Sequence, residues 1–139
     1  MIRQALGTLS ITAPCSGLHE VTEAVATWLD AQSMGAGLLT IFCRHTSASL
    51  LIQENAAPAA RRDLERYFAE IAPERAGYEH DDEGPDDMPA HLRAALTGTQ
   101  LSVPVMGGRL ALGTWQGIYL FEHRRRPTRR ELALHLIGE

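Results

Sequence analysis

The last third of the chain constrains the fold most. From Gln100 onward, four strand-like segments follow one another with no helical spacing between them: "QLSVPV", "RLALG", "GIYLFEH" and "ELALHLIG". The pair Gly107-Gly108 between the first two is a hairpin turn, because two adjacent glycines supply the positive φ angles that such a turn requires. The second and third segments are joined through "TWQ". The basic run "HRRRPTRR", His123 to Arg130, separates the third from the fourth and reads as a hairpin loop. Consecutive strands joined by short turns pair antiparallel, which excludes a fold built from repeating parallel βαβ units.

Ahead of this block the order is strand, helix, two strands, helix, short helix. Residues 4–13 alternate, with Leu9, Ile11 and Ala13 on one face. Leu18, Val21, Val25, Trp28 and Leu29 recur at helical spacing, which predicts a helix over 18–33 ended by Gly35 and Gly37. The run "GLLTIFCRH" (37–45) is apolar on both faces and so predicts a central strand. "SASLLIQEN" (47–55) predicts another. Asn55 offers an N-cap for a second helix over about 57–72, with Ala60, Leu64, Phe68 and Ile71 on one face and Pro73 closing it. "MPAHLRAALTG" predicts a short helix with Met88, Leu92 and Leu96 on one side. The pattern is that of an α+β fold with mainly antiparallel sheet, two longer helices and one short one, and the 139 residues fit a single domain, 1–139.

Composition narrows the chemistry. All 13 basic side chains are arginine. The lack of lysine excludes a lysine Schiff base and a Walker P-loop, and leaves any bound anion to Arg or to backbone amides. The net charge of −4 argues against a nucleic-acid partner. No apolar run approaches the length of a membrane span, and the N-terminus lacks the features of a signal peptide, so a cytoplasmic location is expected. Cys15 and Cys43 form no metal-binding pair and are expected to be small buried hydrophobes.

The stretch "YEHDDEGPDDMPAH" holds six carboxylates, Glu79 just before His80 and Asp81, Asp82, Glu83, Asp86 and Asp87 between His80 and His91. It lacks the alternating ligands of an EF-hand, and H-E-x-x-H is absent. Most of these acids read as a solvated loop, while imidazoles flanked by carboxylates suit cation binding or proton transfer. His45 ends the apolar strand beside Thr46 and Ser47. Ser47 lacks a nucleophile elbow. Arg109 and Gln116 lie among the glycines of "GRLALGTWQG", placed to meet a ligand or a neighbouring chain. Trp115 reads as core. Glu122 shares an apolar strand face with Ile118 and Leu120 and therefore needs a partner, for which Arg109 or a histidine is expected. His135 reads as a structural histidine.

The stretches "HTSASLLIQENAAPAARRDLERYF", "YEHDDEGPDDMPAHLRAALTG", "SVPVMGGRLALGTWQGIYLFEH" and the closing "GE" make the chain resemble the YjbQ-like family, also described as secondary thiamine-phosphate synthase enzymes. The resemblance implies an α+β subunit in a homotrimer. It also implies a weak transferase activity that joins a pyrimidine pyrophosphate to a thiazole phosphate with release of pyrophosphate. By the family pattern the polar cluster comprises His45, Thr46, Asn55, His80, His91, Arg109, Gln116 and Glu122.

Displacing pyrophosphate requires positive charge, from Arg or from a metal such as Mg²⁺. Three histidines point instead to Zn²⁺, Ni²⁺ or Mn²⁺. The expected site brings His45, His80 and His91 together, with Asp81 or Glu122 as a supporting carboxylate and Arg109 facing a small phosphorylated substrate. Two other classes compete. One is a metal- or anion-binding module without turnover. The other is a structural trimer whose polar residues cement its subunits.

Overall fold

The computed structural model describes residues 1–139. Two antiparallel sheets face each other. The larger has five strands in the order β1 (Arg3–Thr12), β8 (Arg129–Gly138), β3 (Ala36–Cys43), β5 (Gln100–Met106) and β6 (Arg109–Leu110). The smaller has three: β2 (Gly17–Glu20), β7 (Gln116–Glu122) and β4 (Ala48–Glu54). Helices α1 (Thr22–Asp30), α2 (Pro58–Ile71) and α3 (Asp87–Thr97) complete the α+β architecture.

Strand alternation explains the layering. Leu39, Ile41 and Cys43 of β3, Val103 and Val105 of β5 and Leu132, Leu134 and Leu136 of β8 all point inward. They meet Ala48 and Leu50 of β4, Ile118 and Leu120 of β7, and Val25 and Leu29 of α1. Each such Leu or Ile contributes about 1.5–3 kcal/mol by leaving water. The other face of the small sheet carries a second cluster, Leu18, Tyr119 and Phe121, covered by Leu64 and Phe68 of α2. As a result β7 is buried on both faces, with every residue from Gly117 to Glu122 buried.

Several local expectations are revised. The helix expected from residue 18 begins at Thr22, because Gly17–Glu20 is paired with Glu122–Tyr119 as β2. Leu18 and Val21 fit helical spacing, but sheet pairing places Leu18 in the second cluster. Asn55 does not cap α2. Its N-cap is Ala57, whose amide donates to Glu54 Oε2 at 3.0 Å, and Pro58 opens the helix. The buried face of α3 is Pro89, Ala90 and Ala94, which allows the helix to lie close against β4, while Leu96 is exposed. The second expected C-terminal strand shrinks to Arg109–Leu110.

The basic run is not a hairpin loop. β7 and β8 belong to different sheets, so residues 123–128 cross from one layer to the other. The Gly107-Gly108 turn stands as expected, with φ of 57° and 74°. β3 is central, between β8 and β5, but its outer face is open: Leu38 and Phe42 are 42% and 45% exposed. Trp115 is exposed at 64%, and Cys15 is exposed while Cys43 is buried. Burial pushes the Cys43 thiol up to about 11.

Candidate metal centre

The polar groups gather where α3 begins, beneath the acidic loop. Asp87 is the first residue of α3 and His91 lies one turn on, so i,i+4 spacing puts both side chains on one face. The loop before the helix returns His80 and Glu83 to the same point. Asp87 Oδ2 lies 3.0 Å from His80 Nε2 and 3.1 Å from His91 Nε2. Glu83 Oε2 lies 3.3 Å from His80 Nε2. Ligand atoms of His80, Glu83, Asp87 and His91 all fall within 4.8 Å of one another.

Hydrogen bonds behind these four residues fix their orientation. His91 Nδ1 is 3.0 Å from the Thr46 carbonyl, an acceptor only, so Nδ1 carries the proton and Nε2 presents its lone pair when the ring is neutral. That lone pair faces a carboxylate oxygen, a contact that requires a proton or a cation between the two. Asp87 is 3% exposed, and its other oxygen accepts from Arg124 Nη1 at 2.7 Å. Arg124 also donates from Nε to Asp86 Oδ2 at 3.1 Å and from Nη2 to the Glu83 carbonyl at 2.9 Å. One guanidinium therefore ties the loop to the helix start.

The titrations follow from these contacts. Desolvation lowers the His80 pKa, but hydrogen bonds to Asp87 and Glu83 and the charges of Asp82 and Asp87 outweigh it and raise the ring above its ordinary value. Desolvation works against ionised Asp86 too. The Arg125 amide and the Arg124 guanidinium prevail and hold its carboxyl below the usual range.

The donor set fits a divalent transition metal. Bonds of about 2.0–2.2 Å in a tetrahedron put ligand atoms about 3.3–3.6 Å apart, close to the three contacts that join His80, Asp87, His91 and Glu83. Two imidazoles with two carboxylates suit Zn²⁺, Mn²⁺ or Ni²⁺ better than an all-oxygen Mg²⁺ site. The Thr46 carbonyl behind His91 and the Arg124 fork behind Asp87 are the orienting contacts that such ligands need.

Of the histidines expected to converge, His80 and His91 do so, with ring centroids 5.7 Å apart. His45 does not join the four. Its Nε2 accepts the Glu131 amide at 2.8 Å, while burial and the Arg130 charge lower its pKa. It lines, with Thr46, His91, Ala94, Ala95 and Thr99, an open cavity of about 330 Å³ on the far side of His91. Asp81 stands beside His80 on the wall of a smaller cavity, outside the cluster.

The remaining candidates serve other parts of the fold. Glu122, fully buried, is paired with Arg130 rather than with Arg109 or a histidine. Arg130 Nε donates to Oε2 at 2.7 Å and Nη2 to Oε1 at 2.5 Å. Gln116 accepts the Gly113 amide at 2.7 Å, shaping the "TWQ" turn. Asn55 contacts Glu20 Oε2 at 3.4 Å. Arg109 is exposed on β6 and makes no ion pair.

Asp87 and Glu83 are invisible as site residues in the sequence because a loop dense in acids singles out none of them. The one signal is the i,i+4 spacing of Asp87 to His91, which appears only when the helix begins one residue before Met88.

Comparison with known proteins places the chain among relatives of the same length and fold. A family model described as "UPF0047 protein YjbQ-like" matches residues 7–139. A UPF0047 protein of Synechocystis sp. is 47% identical over 138 residues, 99% of this chain and 94% of that protein. The UPF0047 protein YjbQ of Escherichia coli O157:H7 is 44% identical over 133 residues, 95% of this chain and 96% of that protein. Among solved structures, a conserved hypothetical protein of Thermus thermophilus superposes with a TM-score of 0.82 at 34% identity, covering 92% of this chain and 97% of that one. A YbjQ-like protein of unknown function from Sulfolobus solfataricus P2 superposes with a TM-score of 0.91 over the whole of both chains. At 23% identity it speaks for the fold alone.

Proposed function

The chain belongs to the YjbQ-like UPF0047 family, and from that premise we propose that it is a metal-dependent protein acting on a small phosphorylated molecule. The observation that carries this reading is the single Asp87 oxygen shared by two imidazoles, with Glu83 completing a four-donor set. His80, Glu83, Asp87 and His91 would hold the ion. When bound, the metal supplies positive charge to phosphate oxygens. Thr46 and Arg124 orient the ligands, and the raised pKa of His80 reflects a site that favours cations.

Within this class, the finer reading is a weak thiamine-phosphate synthase reaction, joining a pyrimidine pyrophosphate to a thiazole phosphate. In this reading His45 and Thr46 meet the part of the substrate that enters the cavity they line with His91. The test is Asp87→Asn, which keeps the shape and removes the charge. Zinc affinity, measured by competition with a chromophoric chelator, is expected to fall more than about 100-fold, beyond the usual cost of losing a merely supporting contact. Unchanged zinc affinity would reject the centre.

A second feature favours assembly. The outer face of the five-stranded sheet exposes Leu6, Leu38, Phe42, Met106 and Ile137 together across β1, β3, β5 and β8. Large apolar side chains gathered on one sheet face are ordinarily covered. We propose that it is covered by further copies of the chain in a homotrimer, and sedimentation equilibrium of the purified protein tests this directly.

A further inference from the structure

The segment joining β7 to β8 borders a cavity of about 430 Å³, lined by Glu83, Gly84, Pro85 and Asp86 from the acidic loop and by Arg124, Arg125, Arg126 and Thr128 from the crossover. Its walls are polar apart from Gly84 and Pro85. Glu83 and Asp86 put it directly against the proposed metal centre, since Glu83 Oε2 bonds His80 and Asp86 precedes Asp87.

The three arginines are not equivalent. All three nitrogens of the Arg124 guanidinium are engaged, on Asp86, Asp87 and the Glu83 carbonyl. The Arg125 guanidinium is paired with Glu74, and its amide donates to Asp86 Oδ2 at 3.0 Å. Asp86 thus has its charge met from two directions. Arg126 alone of the three has no carboxylate within ion-pair distance, and its side chain makes no hydrogen bond. Thr128, half-buried, stands on the same wall; its hydroxyl donates to the Arg126 carbonyl at 3.0 Å, and a turn of that hydroxyl redirects its one proton to an acceptor oxygen in the cavity.

A free planar fork beside a rotatable hydroxyl, in a polar cavity next to a cation site, is the chemistry that holds a phosphoryl group. We infer that Arg126 and Thr128 form the seat of a terminal phosphate or pyrophosphate group of the ligand whose other end meets the metal. This inference rests on the metal-centre reading in one respect: the ion neutralises Glu83, which otherwise repels an anion in this cavity. It replaces Arg109, which lies on another part of the fold, as the residue facing phosphate.

The test measures inorganic pyrophosphate binding to the zinc-loaded protein by calorimetry, with zinc content determined in parallel. Both residues sit on an external segment, so Arg126→Gln and Thr128→Val are expected to fold. Arg126→Gln is expected to weaken pyrophosphate binding about tenfold or more with zinc content unchanged, as the loss of a charge-assisted contact does. Arg126→Lys is expected to recover part of that loss, and Arg109→Gln to leave binding unaltered.

Equal affinity in wild type and Arg126→Gln overturns the phosphate seat and leaves the metal centre standing. So does failure of the wild type to bind millimolar pyrophosphate. Arg126-dependent binding in a protein that takes up no zinc does the reverse, supporting the seat and removing the metal.

Discussion

Two buried carboxylates, Glu122 and Asp87, are both held by Arg124 of the arginine-rich crossover, and they differ in one respect. Glu122 is closed. Both its oxygens are met by the two-pronged Arg130 guanidinium, itself 3% exposed, and the Arg124 amide adds a third donor at 3.0 Å. Asp87 is open. Arg124 satisfies one oxygen, and the other faces two imidazoles at the edge of solvent. Burial alone therefore does not mark a site. A carboxylate whose charge is fully matched holds strands together, while one left half-matched has capacity for a ligand.

The sharpest way to break that contrast is to unpair Glu122. Glu122→Gln leaves Arg130 a buried cation without its counter-ion, and a loss of about 3–5 kcal/mol is expected in urea denaturation. Asp87→Asn is expected to cost far less stability while abolishing tight zinc binding. Comparable destabilisation by both would erase the distinction.

His123 provides a smaller and pH-dependent contrast. Burial, then the charges of Arg93 and Arg130, push its pKa down to about 3 from 6.5. Its Nε2 is 2.9 Å from Ser49 Oγ in the interior. The unfolded chain binds a proton at this residue between those values and the folded chain does not. Stability is therefore expected to fall as pH drops from 6.5 towards 3, by up to about 1.4 kcal/mol per pH unit. His123→Gln is expected to show a shallower slope, read from thermal unfolding across the range. An identical slope would mean that His123 is protonated in the fold. Asp86 adds to acid sensitivity in the wild type and the variant alike: its carboxyl is held low, so its contribution is lost as pH falls through the carboxylate range.

The smallest effect concerns the thiols. Cys15 is exposed, and Cys43 is buried with its thiol raised to about 11. At about pH 8 a maleimide is expected to modify Cys15 rapidly and Cys43 only after unfolding, as mass spectrometry will show. Rapid labelling of both would mean that the C-terminal end of β3 at Cys43 opens.

How far the sequence carries follows the same division between matched and unmatched patterns. The strands themselves are legible, β3 from its apolar run and β8 from the alternation of Leu132, Leu134 and Leu136, but β3 is apolar on both faces and only the fold shows that Leu39, Ile41 and Cys43 point inward. Long-range pairing is not legible either. Leu18 fits a helical stripe equally well, and only β7, about a hundred residues on, draws it into a strand. The basic run resembles a hairpin because its neighbours are strands. That these strands lie in different sheets depends on pairing of β8 with β1 and β3 at the start of the chain.

The site is legible only in its histidines. His80 and His91 stand out because imidazoles are few and flanked by acids. Glu83 and Asp87 are hidden among chemically identical neighbours. Arg130 is one of thirteen basic residues, all arginine, until the fold places it against Glu122.

The most direct measurement is elemental analysis of protein purified without added metal or chelator, repeated for His91→Ala, Asp87→Asn and His45→Ala. About one divalent transition-metal ion per chain is expected in the wild type and in His45→Ala, with loss in the other two. Metal content that is nil throughout even after zinc loading, or equal in all four proteins, would contradict a centre built on Asp87 and its two histidines.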